Sequence, residues 1–130
     1  MPHFHIDYSA NLEKRLNIAE LLTVIRDAAM ETGVFPLAGI RIRATACDHW
    51  LIADGNPDHA FLDMSIRLRA GRPDEAKKQA TEHIFAAAEA FCADVMTTSS
   101  FMLSLEMRDI DPELSPKASS IRKYLPGEHT

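Results

Sequence analysis

From His3 to Tyr8 the chain alternates, with Phe4, Ile6 and Tyr8 apolar or aromatic and His3, His5 and Asp7 polar. Successive side chains of a strand point to opposite faces, so this run predicts a strand over about residues 3 to 8 with one apolar face. The period then changes. Ile18, Leu21, Leu22, Ile25 and Ala29 recur at three- and four-residue spacing, which is the buried stripe of an amphipathic helix. Asn17 and Glu20 have capping-box spacing and Gly33 supplies a stop, so the helix is expected from Asn17 to about Thr32. Phe35 to Gly39 reads as a connector into a second strand near residues 39 to 47.

The same order of patterns returns with different residues. Leu62, Met64, Ile66 and Leu68 alternate with Asp63, Ser65, Arg67 and Arg69, predicting a strand over 60 to 69. A second helix should start near Pro73, with Asp74 and Glu75 complementing its dipole, and run into the mid 90s. Residues 101 to 108 alternate again as a closing strand. Between the units, residues 53 to 58 concentrate turn formers, after a possible short strand around Trp50 to Ile52. The expectation is an α/β chain of two βαβ units forming a four-stranded sheet with both helices on one face. It is one domain over 1–130, ending in a tail over 109–130 with one helical turn around Ser120 to Tyr124. The handedness rule suggests a parallel sheet whose uncovered face, apolar and arginine-bearing, is a candidate surface for assembly with other copies.

Composition narrows the function. With 46% apolar and 25% charged residues in 130, the chain has the makeup of an ordinary globular domain. No apolar run approaches the roughly 20 residues that span a bilayer, and no export signal is visible, so a cytoplasmic protein without membrane partners is expected. A formal net charge of -5 disfavours nucleic acid as the main partner. Yet the arginines gather: Arg41 and Arg43 share one face of a predicted strand, Arg67 and Arg69 share one face of another, and Arg72 follows. Guanidinium forks match carboxylates, which points to a small carboxylate ligand; pairing with Asp7, Asp63 or Glu106 would explain the same residues.

Pro2 carries a different kind of chemistry. Removal of Met1, favoured by a small second residue, would make its nitrogen a secondary amine; while Met1 is attached that nitrogen is an amide and takes no proton. An α-amino group titrates near about 7.7 to 8.0, and burial or nearby positive charge favours its neutral form, which suits a proton shuttle at neutral pH. Proline is also tolerated at the first position of a strand for purely structural reasons. Of the two cysteines, Cys92 reads as core, while Cys47 precedes Asp48 and His49 and is a candidate nucleophile. His3 and His5, about 6.6 to 7 Å apart along one strand face with Asp7 beyond, leave a metal site as an alternative.

Taken in order, Met1-Pro2-His3-Phe4, the run Gly33-Val34-Phe35-Pro36-Leu37-Ala38-Gly39-Ile40-Arg41, Ala53-Asp54-Gly55 and Gly71-Arg72 resemble the 5-carboxymethyl-2-hydroxymuconate isomerase family of the tautomerase superfamily. The resemblance implies a homotrimer of such subunits and a cofactor-independent isomerase without a metal, acting in homoprotocatechuate breakdown. It implies that Pro2 moves the proton, that Arg41 is catalytic at the 2-oxo acid end, and that Arg72 binds a distal carboxylate. Phe35, inside the most specific motif, is a candidate for an apolar substrate-pocket wall or for the core. A non-catalytic trimeric carboxylate binder and another tautomerase-type reaction, a decarboxylation or dehalogenation, remain alternatives.

Overall fold

Alternation along the chain becomes four strands, β1 (His3–Ser9), β2 (Arg41–Cys47), β3 (Ala60–Arg69) and β4 (Phe101–Ile110). The helical stripes become α1 (Ile18–Glu31) and α2 (Asp74–Phe91), followed by a short α3 (Ala93–Thr98). The structure, a computed structural model, describes residues 2 to 127. Met1 and residues 128 to 130 lie outside it, and so does the state of the amino terminus.

Strand order is β2-β1-β3-β4. β1 runs parallel to β2 and β3 runs parallel to β4, as two strand-helix-strand units require, but β1 and β3 meet antiparallel. The sheet is therefore mixed, not parallel. The crossover rule constrains each unit internally and leaves open how the units abut. No strand forms at Trp50 to Ile52: β1 and β2 end together at Ser9 and Cys47, and the chain leaves the sheet there. The second helix breaks at Cys92, where α2 ends and α3 begins at a changed angle of the backbone (φ -92, ψ 10).

Period two sends Phe4, Ile6, Leu62, Met64 and Ile66 to the helix side, where each is at most 1% exposed. Leu21 and Ile25 of α1 and Ile84 of α2, all fully buried, close that layer from above. Burial of each such side chain contributes about 1.5 to 3 kcal/mol, so this layer holds the helices to the sheet. Asn17 Oδ1 accepts from the Glu20 N–H at 3.1 Å, capping α1, and His83 in the middle of α2 meets Glu31 at the end of α1 at 2.7 Å, tying the two helices together.

The opposite face corrects the sequence reading. Because alternation spends most apolar positions on the helix side, this face carries His3, His5, Asp7, Arg41, Arg43 and Arg67 and is mainly polar, with Phe61 and Met102 its large apolar pair on β3 and β4. Register lines it up in rows across the sheet: Arg41, His3, Arg67 and Arg108 in one, and Thr45, Asp7, Asp63 and Ser104 in another. Cations sit toward the Pro2 end and carboxylates farther in.

Candidate active site

Antiparallel pairing of β1 with β3 brings distant residues to one end of the sheet. His3 pairs with Arg41 on one side and Arg67 on the other, so the starts of β1 and β2 and the end of β3 lie together. Pro2, Arg41 and the Gly71-Arg72 turn all belong to that end. Pro2 is fully buried.

Arg41 is held by β1. Its Nη2 donates to His3 Nε2 at 3.2 Å, while Arg43 Nη1 stands 3.5 Å from His3 Nδ1. A guanidinium has no acceptor, so the His3 ring must be neutral to receive Arg41. Its surroundings favour that form: burial first, then the charges of Arg41, Arg67 and Arg43, hold the His3 pKa below its ordinary 6.5. The Nε of Arg41 is buried without a hydrogen-bond partner, an unspent donor beside a ligand-sized space. That space is a cleft of ≈ 420 Å³ in which Gly39 and Arg41 face Lys117, Ser119, Ile121 and Arg122 of the returning tail.

Arg72 follows Gly71, whose φ of +123° is a backbone conformation that favours glycine and turns the chain back on itself. The turned side chain donates from Nε to the Val34 carbonyl at 3.0 Å and from Nη1 to the Arg69 carbonyl at 3.1 Å. Two donors of its guanidinium, Nε and Nη1, thus staple the α1–β2 connector to the end of β3. Arg72 is not part of the cleft lining beside Arg41. Phe35 is 4% exposed, and its ring meets Phe4 edge-on at 5.2 Å between centroids. It sits in the core behind the Pro2 end of β1 and does not line the Arg41 cleft.

His3 is the site residue that reading the chain passed over, having been weighed only as a metal ligand. The signal was its place beside Pro2, but only strand register shows that it faces Arg41. The metal arrangement does not form: His3 Nε2 accepts from Arg41, Arg43 stands beside its Nδ1, and His5 meets Asp7 at 3.3 Å. Among the described residues no group of three His, Cys, Asp or Glu is placed to hold a metal ion. Nor do the arginines of β2 pair with Asp7, Asp63 or Glu106; Asp63 accepts from Ser104, and Glu106 pairs with Arg108 at 3.5 Å. Cys47, at the far end of β2, lies opposite Ser9 and away from this site.

The Ala53-Asp54-Gly55 stretch turns out to be a loop device at the other end of the sheet. The Gly55 N–H donates to the Ile52 carbonyl at 2.8 Å, and Asp54 accepts from the Asn56 N–H at 3.1 Å and meets His59 at 2.8 Å. His59 in turn reaches Ser100 at 2.6 Å, clasping the loop to the start of β4.

Comparison with known proteins identifies the family. The family model described as 5-carboxymethyl-2-hydroxymuconate isomerase matches residues 2–125. The chain belongs to that family. It is similar to the 5-carboxymethyl-2-hydroxymuconate Delta-isomerase of Escherichia coli, 34% identical over 121 residues that cover 93% of this chain and 96% of that protein. A crystal structure of a 5-carboxymethyl-2-hydroxymuconate isomerase from Deinococcus radiodurans R1 superposes with a TM-score of 0.88 at 29% identity, covering 95% of this chain and 94% of that one. A second crystal structure, of a 5-carboxymethyl-2-hydroxymuconate delta-isomerase, gives 0.90 at 26% identity over 98% and 95% of the two chains. The match begins at Pro2 and runs through the tail that faces Arg41, so the whole candidate site lies inside the isomerase family's shared region.

Proposed function

We propose that this chain isomerises 5-carboxymethyl-2-hydroxymuconate to its 2-oxo form in aromatic catabolism, with Pro2, freed by removal of Met1, as the proton carrier. What supports the reading is that buried Pro2, the His3-held Arg41 and Arg72 belong to one sheet end of a chain of this family, with Arg41 the one of the three that lines the cleft. The neutral Pro2 amine takes the proton of the substrate's 2-hydroxyl. The oxygen's electron pair forms the carbonyl, the double bond shifts along the chain, and the proton returns to carbon from the Pro2 ammonium. Atoms balance without a cofactor.

Arg41 binds the 2-oxo acid end and stabilises the charge that develops on the oxygen, where a preorganised cation is worth most. The row of cations also disfavours protonation of the Pro2 amine, keeping the base ready near neutral pH. Arg72 orients a distal carboxylate through Nη2 and the Nη1 hydrogen not spent on Arg69. Phe35 contributes from behind, its ring fixing Phe4 and so the start of β1. The working unit is a homotrimer. Large apolar side chains exposed in the single chain support it: Leu51 is 83%, Met102 64% and Leu114 81% exposed.

The direct test follows the ultraviolet decay of 5-carboxymethyl-2-hydroxymuconate with protein whose intact mass lacks Met1. Decay well above the buffer rate, abolished when Met1 is retained or Pro2 is acetylated, is the expected result. Equal rates with a free and a blocked terminus would remove Pro2 from the mechanism, and no decay at all would remove the activity.

A further inference from the structure

After β4 the chain does not run off into solvent. It turns through Pro112–Leu114, where Asp111 accepts from the Glu113 N–H at 2.9 Å and Ser115 Oγ donates to the Asp111 carbonyl at 2.6 Å. It then passes the connector before β2, whose Pro36, Ala38 and Gly39 share a cleft with residues 117 to 122, and forms a second tight turn, Ile121–Tyr124. This return path makes one wall of the cleft whose other wall carries Arg41. Two of the residues it brings there are cations, Lys117 and Arg122, and no carboxylate lines the cleft.

Arg41 is half-buried and Lys117 and Arg122 are exposed, so three cations without a carboxylate among them give the cleft a positive field that an entering anion meets. The chain as a whole is acidic, at -5, so carboxylates to neutralise them are not scarce. Even so, among the described residues neither Lys117 nor Arg122 forms an ion pair, whereas Lys77 pairs with Asp74 at 3.3 Å and Asp109 at 3.2 Å. The Nε of Arg41 in the same cleft is likewise buried and unpartnered. At ≈ 420 Å³ the space lies within the range of small-ligand sites, about 300 to 1,000 Å³.

We propose that the returning tail is part of the binding site, with Lys117 and Arg122 supplying cations for a substrate carboxylate that Arg41 and Arg72 do not take. This rests on the isomerase reading and deepens it: a substrate with three carboxylates offers a third anion beyond those taken by Arg41 and Arg72. Specificity for a tricarboxylate over a shorter dicarboxylate is then set by the tail, far in sequence from Pro2.

Lys117→Gln, Arg122→Gln and the double variant separate this from a merely structural tail. The control is Lys123→Gln, which removes the same charge from the same turn but from an ammonium that sits over the Tyr124 ring, 5.4 Å from its centroid, outside the cleft. Two readouts are taken: steady-state kinetics on 5-carboxymethyl-2-hydroxymuconate, and calorimetric binding of propane-1,2,3-tricarboxylate and of succinate at fixed ionic strength. Each single variant should raise KM, and Kd for the tricarboxylate, about tenfold, with kcat within about twofold of the parent and succinate binding nearly unchanged. Lys123→Gln should alter neither, and Arg122→Lys should recover part of the loss. If the parent binds the tricarboxylate through Lys117 and Arg122 but turns over no substrate, the isomerase reading falls and the tail site stands. Turnover with KM and Kd unmoved in both variants, the same loss in Lys123→Gln, or no tricarboxylate binding by the parent would overturn the tail site.

Discussion

Arg41 and Arg72 sit at the same sheet end but are held differently, and their substitutions should therefore behave differently. Arg41 rests on a neutral imidazole and keeps a donor in reserve, so Arg41→Ala should cut kcat by about 10²- to 10³-fold, the usual loss of one oxyanion partner. Arg72→Ala should act mainly through KM; a fall in kcat alone would reassign it. His3 adds a pH signature. Its pKa is lowered in the fold, so between that value and 6.5 the unfolded chain binds more protons than the native one. The His3 contribution to stability is thus steady above about pH 6.5 and declines as pH falls toward the folded pKa. NMR titration should find the His3 ring more than half neutral at pH 6.5, and His3→Leu should flatten the decline in that window while lowering kcat through a loosened Arg41. A His3 resonance titrating above 6.5 would contradict both. At this scale the chain revealed residue types and lost partnerships: Pro2, Arg41 and Arg72 stood out by motif, but His3 acquires its role only from what lies across the strand.

Elements divide into those specified locally and those specified by packing. α1 begins and ends on local signals, the Asn17 cap and Gly33 at φ +73°, and both were readable from the chain. Asn17→Ala should cost about 1 kcal/mol, the ordinary worth of a cap. Ile84→Ala, in the middle of a fully buried layer, should cost about 2 to 5 kcal/mol. Chemical denaturation would check the ordering, and a cap that cost more than the core residue would mean that the helix docks less tightly than its burial implies. β3 matched its predicted limits because apolar and polar residues alternate without a break from Leu62 to Arg69. The strand expected at Trp50 to Ile52 had suitable side chains and no neighbour to pair with, and the single long helix split at Cys92 because the chain must turn back to bring Phe101 beside Ala60.

For the molecule as a whole, the polar sheet face changes what assembly must mean. An apolar face would have clamped copies together by burial alone; a face with rows of arginine, histidine and aspartate demands matched charges and screened repulsion. A homotrimer should sediment at three times the 14.5 kDa chain mass. If its contacts run through this face, raising salt from 0.05 to about 1 M should shift the equilibrium; a monomer at every concentration would remove the trimer from the proposal. Within the single chain no described helix is long and apolar enough to cross a membrane.

The chain by itself determined the order of elements, the side of each strand that is buried, and the residues able to do proton and carboxylate chemistry, because periodicity and residue type are local properties. Tertiary structure alone decided the antiparallel meeting of β1 and β3, the neutral His3 between two guanidinium groups, Phe35 in the core, and the tail's return to Arg41. Each of those joins residues more than thirty positions apart, apart from none on a shared turn or stripe, and such pairings are set by which buried faces and unpaired backbone edges best satisfy one another once the elements exist.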